Sequence, residues 1–179
     1  KARLYAEVYG VKTVTQSANE GRNQFTYIPD DTGHPFAIIK EGKRAKREAF
    51  ISSYTRTLRL DNVALSIHVT DFPIKDKNRP FEGLLEEYLS SRTPSQASLE
   101  EELEYFIKKY EKNNAIILQS ITKNIDTEDM NTLFKYLDVD SVHKIFSYVI
   151  LVNATDSDPK NIVLRLNQEN KLEMQIFDT

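Results

Sequence analysis

An α+β fold, with a mostly antiparallel sheet and helices packed on one face, follows from three features of the 179-residue sequence. Apolar residues alternate through about residue 69, which is the period of strands. From residue 81 they recur at helical spacing, and near the C-terminus they alternate again. Strands first, helices next and a hairpin last lacks the regular β-α alternation of a parallel sheet. A single domain over residues 1–179 is expected, strand-rich over 1–69, helical over 81–147 and closed by a hairpin at 161–177.

The strand-rich part offers four candidates: "RLYAEVYGVKTV", "NQFTYI", "FAIIKE" and "LRLDNVALSIHV". In the last, Leu58 and Leu60 keep one parity and Val63, Leu65, Ile67 and Val69 the other. The phase slips at Asp61-Asn62, where a bulge or tight turn belongs. Between these strands "KRAKREAFISSY" is a helix or a long basic loop. After the polar connector "TDFPIKDKNRP", Phe81, Leu84, Leu85, Tyr88 and Leu89 fall on one face of a helix that begins just after Pro80. Ser98 and Glu101 have the form of a capping box for a second helix, whose stripe is Leu99, Leu103, Phe106, Ile107 and Tyr110. A strand "AIILQSI" follows. Asp126 or Thr127 caps a third helix carrying Met130, Leu133, Phe134 and Leu137. The stretch from Val142 to Val152 reads equally as helix or buried strand, and "NIVLRLNQENKLEMQIF" reads as two strands about a polar turn.

Composition excludes several chemistries. The chain has no cysteine, so disulfides, thiolate zinc sites and cysteine nucleophiles are ruled out, and an intracellular protein is the default. Its five glycines form neither a Gly-x-Gly-x-x-Gly turn nor a phosphate-cradling loop, and no cofactor is expected. No segment is apolar for long enough to span a membrane. The opening "KARLYAEVYG" has no methionine and no signal-peptide pattern, as in a processed product or a piece of something longer.

"IPDDTGHPFAIIKEGK", residues 28–43, carries the one motif with catalytic form. Pro29-Asp30, an apolar run and then Glu41-Gly42-Lys43 resemble the PD-(D/E)xK nuclease superfamily. The resemblance implies Asp30 and Glu41 as metal ligands, Lys43 as the group that orients water, and Glu7 or Glu20 as an added carboxylate. Read from the residues alone, Asp-Asp-Thr-Gly is a hairpin tip. Asp30 and Glu41 then lie on the order of 20 Å apart, at roughly 3.3 Å per residue, and no catalytic or metal site is assigned.

Charge supplies the leading functional expectation. Residues 40–59 hold seven cationic side chains (Lys40, Lys43, Arg44, Lys46, Arg47, Arg56, Arg59) against Glu41 and Glu48, a formal +5. The whole chain carries −3, which leaves −8 elsewhere. Such a segment can neutralise phosphates of DNA or RNA, with Phe50 and Tyr54 as stacking faces, whereas the plainer reading buries both rings in the core. Lys43, Arg44, Lys46, Arg47, Arg56 and Arg59 are therefore the expected nucleic-acid-binding residues. The acidic stretch 81–112, with Glu82, Glu86, Glu87, Glu100, Glu101, Glu102, Glu104 and Glu111, reads as a solvated helical face or as a site for a protein partner. His34, His68 and His143 show no metal-ligand spacing.

Overall fold

The computed structural model describes residues 14–17, 24–30, 32, 35–41, 44–72, 81–89, 98–112, 115–153 and 158–177. Its helices and antiparallel sheets make an α+β fold. The chain divides into two compact units, one of Lys1–Leu58 and Ala64–Tyr88, the other of Arg59–Val63 and Leu89–Thr179. Two sheets are thus present where the sequence suggested one.

The first unit is built on strands β1 (Val14–Ser17), β2 (Gln24–Pro29), β3 (Pro35–Glu41), β4 (Ser66–Phe72) and β5 (Phe81–Glu87), in the order β1-β2-β3-β5-β4 and antiparallel throughout. Residues 3–13 of the first expected strand lie outside the described residues. One helix, α1 (Ala45–Thr57), follows β3 and runs alongside β4 and β5. Ile28, Ala37, Ile39, Ile67, Val69 and Leu85 form the core on one face of the sheet. "LRL" at 58–60 is not a strand: Leu58 and Arg59 form the turn that ends α1, and a second turn stands at Asp61-Asn62 where the alternation slips.

The helix expected after Pro80 is instead β5, the strand between β3 and β4. Leu85 lies between Ile39 and Ile67, and Leu84 between Lys40 and His68, so the two leucines are buried on opposite faces. A strand covered on both faces hides adjacent apolar residues, and over seven residues that pattern coincides with a helical stripe. Pairing on both edges overrides the helix propensity of Leu and Glu, and Gly83 would have cost a helix about 1 kcal/mol. Glu82, Glu86 and Glu87 of the expected acidic face are therefore strand residues, not helix positions. Glu86 is 1% exposed; its Oε1 lies 2.8 Å from Lys40 Nζ, and Oε2 accepts the Ser66 hydroxyl at 3.4 Å. Glu87 Oε2 accepts the Leu65 N–H at 3.2 Å and lies 3.8 Å from the Arg56 guanidinium.

The second unit contains α2 (Glu101–Tyr110), β6 (Glu111–Lys112), β7 (Ala115–Ile117), α3 (Leu118–Asn124), α4 (Thr127–Tyr136), α5 (Val139–Leu151), a 3-10 turn at Pro159–Asn161, and strands β8 (Ile162–Leu166) and β9 (Leu172–Ile176). The sheet order is β6-β7-β8-β9, antiparallel, and Leu164 sits between Ile116 and Met174 on the face that carries the core. That core joins Leu103, Phe106, Ile107 and Tyr110 of α2 to Ile121, Tyr136, Leu166 and Leu172. β8 and β9 turn at Asn167–Asn170, where Asn167 Oδ1 accepts the N–H groups of Glu169 and Lys171, and Asn170 takes a left-handed φ of 58°. The outer edge of β9 is covered by short parallel bridges from Leu137 and Val63, which removes an exposed strand edge.

Three local expectations change here. The N-cap of α2 is Glu100, not Ser98, and its own side chain makes no capping bond. "AIILQSI" is a strand only to Ile117, after which α3 begins, because a short apolar run has no period to separate the two states. Asp126 does cap α4, accepting the Asp129 N–H at 2.8 Å, but α4 turns Asp129, Thr132 and Tyr136 inward and leaves Phe134 67% exposed. Reciprocal polar bonds to α2 set that rotation. Lys109 and Tyr110, at the end of α2, reach Asp129 at the start of α4. Lys135 and Tyr136, at the end of α4, reach Glu102 and Glu100 at the start of α2. Two antiparallel helices thus each present cations at the C-terminus to anions at the other's N-terminus, the favourable sense for both dipoles.

Candidate nucleic-acid interface

The local sequence of α1 runs against the usual rules for starting a helix. Its N-cap is Arg44, with no side-chain capping bond, and Lys46 and Arg47 stand in the first turn where anions are preferred. Glu48 is the sole acid there. Cationic side chains therefore add to the positive end of the helix.

The rotation of α1 is equally unusual. Its buried residues are Ala45, Ser52 and Thr55, small and mostly polar. Ser52 Oγ donates to the Ala64 carbonyl at 3.1 Å and accepts the Ser66 N–H at 2.9 Å, and Thr55 Oγ1 donates to the Ser52 carbonyl at 3.0 Å. The two Ser52 bonds tie the helix to the start of β4, and the Thr55 bond stays within the helix. Phe50 and Tyr54, one turn apart on the opposite face, point outward at 68% and 45% exposure. Their rings stack with centroids 6.2 Å apart and planes 7° apart. Both rings are therefore outside the core.

Lys46 precedes Phe50 by four residues and Arg47 precedes it by three, so both cations share the outward face with the rings. Arg44 is exposed at the N-cap. Arg56 is exposed on the flank of the helix, within 3.8 Å of Glu87. Arg59 is exposed in the turn after α1, held at a left-handed φ of 59°, and belongs to the second unit. Lys43 lies outside the described residues. Lys40, counted in the basic window, is engaged by the buried Glu86. Arg44, Lys46 and Arg47 are the expected binding residues that α1 brings together with the two aromatics.

The nuclease-like motif is spread along a hairpin. Asp30 follows β2 and accepts the Thr32 N–H at 2.8 Å and the Thr32 hydroxyl at 2.6 Å, which makes it part of the turn. Pro29 pairs with Pro35, and Glu41 is the last residue of β3 at the opposite end. The backbone positions of Asp30 and Glu41 are thus separated by the length of the strand, too far for one ion. Among the described residues no three His, Asp or Glu groups converge as a metal site. Glu7, Glu20 and His34 lie outside them; His68 is half-buried in β4 and His143 is exposed on α5.

A second surface escaped the sequence reading. In α5 the buried stripe is Ser141, Ile145 and Tyr148, and the face opposite carries Val139, His143, Phe146 and Ile150, all exposed, with Ile150 at 76%. The signal lay in "VDSVHKIFSYVIL", which is apolar around most of its circumference. A helix apolar on so much of its surface is ordinarily buried, and here one side is exposed.

The polar groups of the α2–α4 clamp have internal partners. Burial, reinforced by the bond to Asp129, pushes the Tyr110 phenol up to about 12. Lys109 is raised mainly by the same carboxylate. Glu100 is lowered chiefly by the Tyr136 hydroxyl and Glu102 chiefly by Lys135. Their chemistry is that of a structural fastening. No protein-family model and no curated protein matches the chain.

Proposed function

We propose that this is a binding domain of a larger intracellular protein or assembly, contacting a nucleic-acid backbone through the basic segment 40–59. Arg44, Lys46 and Arg47 are the principal phosphate contacts, and Lys43, Arg56 and Arg59 extend the segment. The observation that carries the reading is the outward face of α1, where Phe50 and Tyr54 stand exposed beside Lys46 and Arg47. A helix that needed only to pack would have placed those rings against the sheet and its charges with the dipole. The chain is otherwise acidic, so a polyanion is repelled by most of the surface and attracted here.

The test is binding of labelled DNA and RNA across a salt series. Affinity is expected to fall steeply between about 50 and 200 mM salt. The double substitution Lys46→Gln and Arg47→Gln is expected to weaken binding to every sequence and to reduce the log–log slope by about 1.4 on single strands. An unchanged slope would sink the proposal.

A protein-interaction role is the second reading, favoured by the exposed Val139, Phe146 and Ile150 stripe of α5. It calls for a partner whose capture is abolished by Phe146→Glu with Ile150→Glu and is indifferent to the α1 substitutions. Loss of capture in both sets of variants, or in neither, would count against it.

A further inference from the structure

We infer that the ligand of α1 is an unpaired, single-stranded stretch of nucleic acid, with bases stacked on Phe50 and Tyr54 and the adjoining phosphates held by Lys46 and Arg47. The inference rests on the proposed backbone contact and adds the form of the ligand. In a duplex every internal base has both faces covered by its neighbours, so aromatic rings find only groove edges and sugars. A helix that enters a groove carries polar side chains at the centre of its contact face, suited to the hydrogen-bonding edges of base pairs. α1 presents the reverse: two aromatic rings occupy the middle of its exposed face, with Lys46 and Arg47 toward its N-terminus and Arg56 in its last turn. An unpaired strand exposes what those rings can bind, because every base has a free π-face.

The geometry suits that ligand. The Phe50 and Tyr54 planes are within 7° of each other, so their faces point the same way and offer a continuous stacking direction. Lys46 and Arg47 lie one turn toward the N-terminus of the same face, where a strand leaving the rings would run its phosphates. Stacking tolerates any base, so recognition by strand form without strong sequence preference is expected.

The experiment compares fluorescence anisotropy of labelled oligothymidylate, oligouridylate and a duplex of equal length on the full chain, using wild type, F50A/Y54A and K46Q/R47Q. Both pairs are exposed, and circular dichroism checks that each variant is folded. Single strands are expected to bind more tightly than the duplex. F50A/Y54A is expected to weaken single-strand binding by on the order of tenfold or more, with the salt slope unchanged. K46Q/R47Q is expected to weaken both forms and flatten the slope. Equal binding of duplex and single strand, or wild-type affinity in F50A/Y54A, would overturn the inference while leaving the backbone contact intact. Absence of salt-sensitive binding to any of the three probes would overturn both.

Discussion

Ser52 shows how one small side chain decides what α1 displays. Its hydroxyl is both donor to the Ala64 carbonyl and acceptor from the Ser66 N–H, and it is fully buried. Ser52→Ala leaves two backbone groups without that partner and is expected to cost about 1–3 kcal/mol, seen as a lower urea midpoint with an unchanged m-value. Ser52→Leu also overfills the gap between helix and sheet and should cost more. Tyr110 offers a separate single-residue test. Its folded pKa, raised to about 12 first by burial and then by the Asp129 bond, lies above the ordinary value of 10.0. A raised pKa contributes stability that is complete below pH 10 and is lost as pH rises toward 12. Burial also raises Tyr88 and Tyr136, so spectrophotometric titration should show several late tyrosinates, of which Tyr110→Phe removes one; the same late amplitude in both proteins would contradict the assignment.

At the scale of elements, the α2–α4 pair converts charge into orientation. Glu100 and Glu102 are held below the ordinary carboxylate range by Tyr136 and Lys135 respectively, and Asp126 by the Asp129 N–H it caps. Depressed folded values contribute stability that is present above the unfolded pKa and lost as pH falls through the folded one. The urea midpoint should therefore drop on acidification below about pH 4. In Lys135→Met the drop should be shallower, since the hydrogen bond that chiefly lowers Glu102 is gone. An identical acid profile in the variant would remove the clamp from the account. The cap itself is worth about 1 kcal/mol, so Asp126→Ala should lower the midpoint at neutral pH as well.

At the scale of the whole molecule, each unit carries its own core. Leu85 centres the first, between Ile39 and Ile67, and Leu164 the second, between Ile116 and Met174. Either leucine cut to alanine should cost about 2–5 kcal/mol. Amide exchange should locate the loss: Leu85→Ala accelerating β2, β3, β4 and β5 first, Leu164→Ala accelerating β7, β8 and β9 first. Equal acceleration everywhere would mean that the two cores open as one. Charge is also a property of the whole chain. A net −3 with +5 confined to residues 40–59 makes any polyanion contact directional, which is why salt is the decisive variable in the binding tests.

Alternation and helical spacing, with the break at Asp61-Asn62, were enough to determine β2, β3, β4, the inner stripe of α2 and the α+β class, because each is a local pattern, and the cap of α4 was narrowed to Asp126 or Thr127. The cluster of cations at residues 43–47 was legible for the same reason. Three matters were decided only in three dimensions. β5 became a strand because both of its edges found partners, and its leucines were hidden on two faces instead of one. Phe134 came out of the core because Asp129 and Tyr136 were bonded into it. Phe50 and Tyr54 came to face outward because Ala45, Ser52 and Thr55 took the inner face, where Ser52 bonds the Ala64 carbonyl and the Ser66 N–H, and a helix has only one inner face to give.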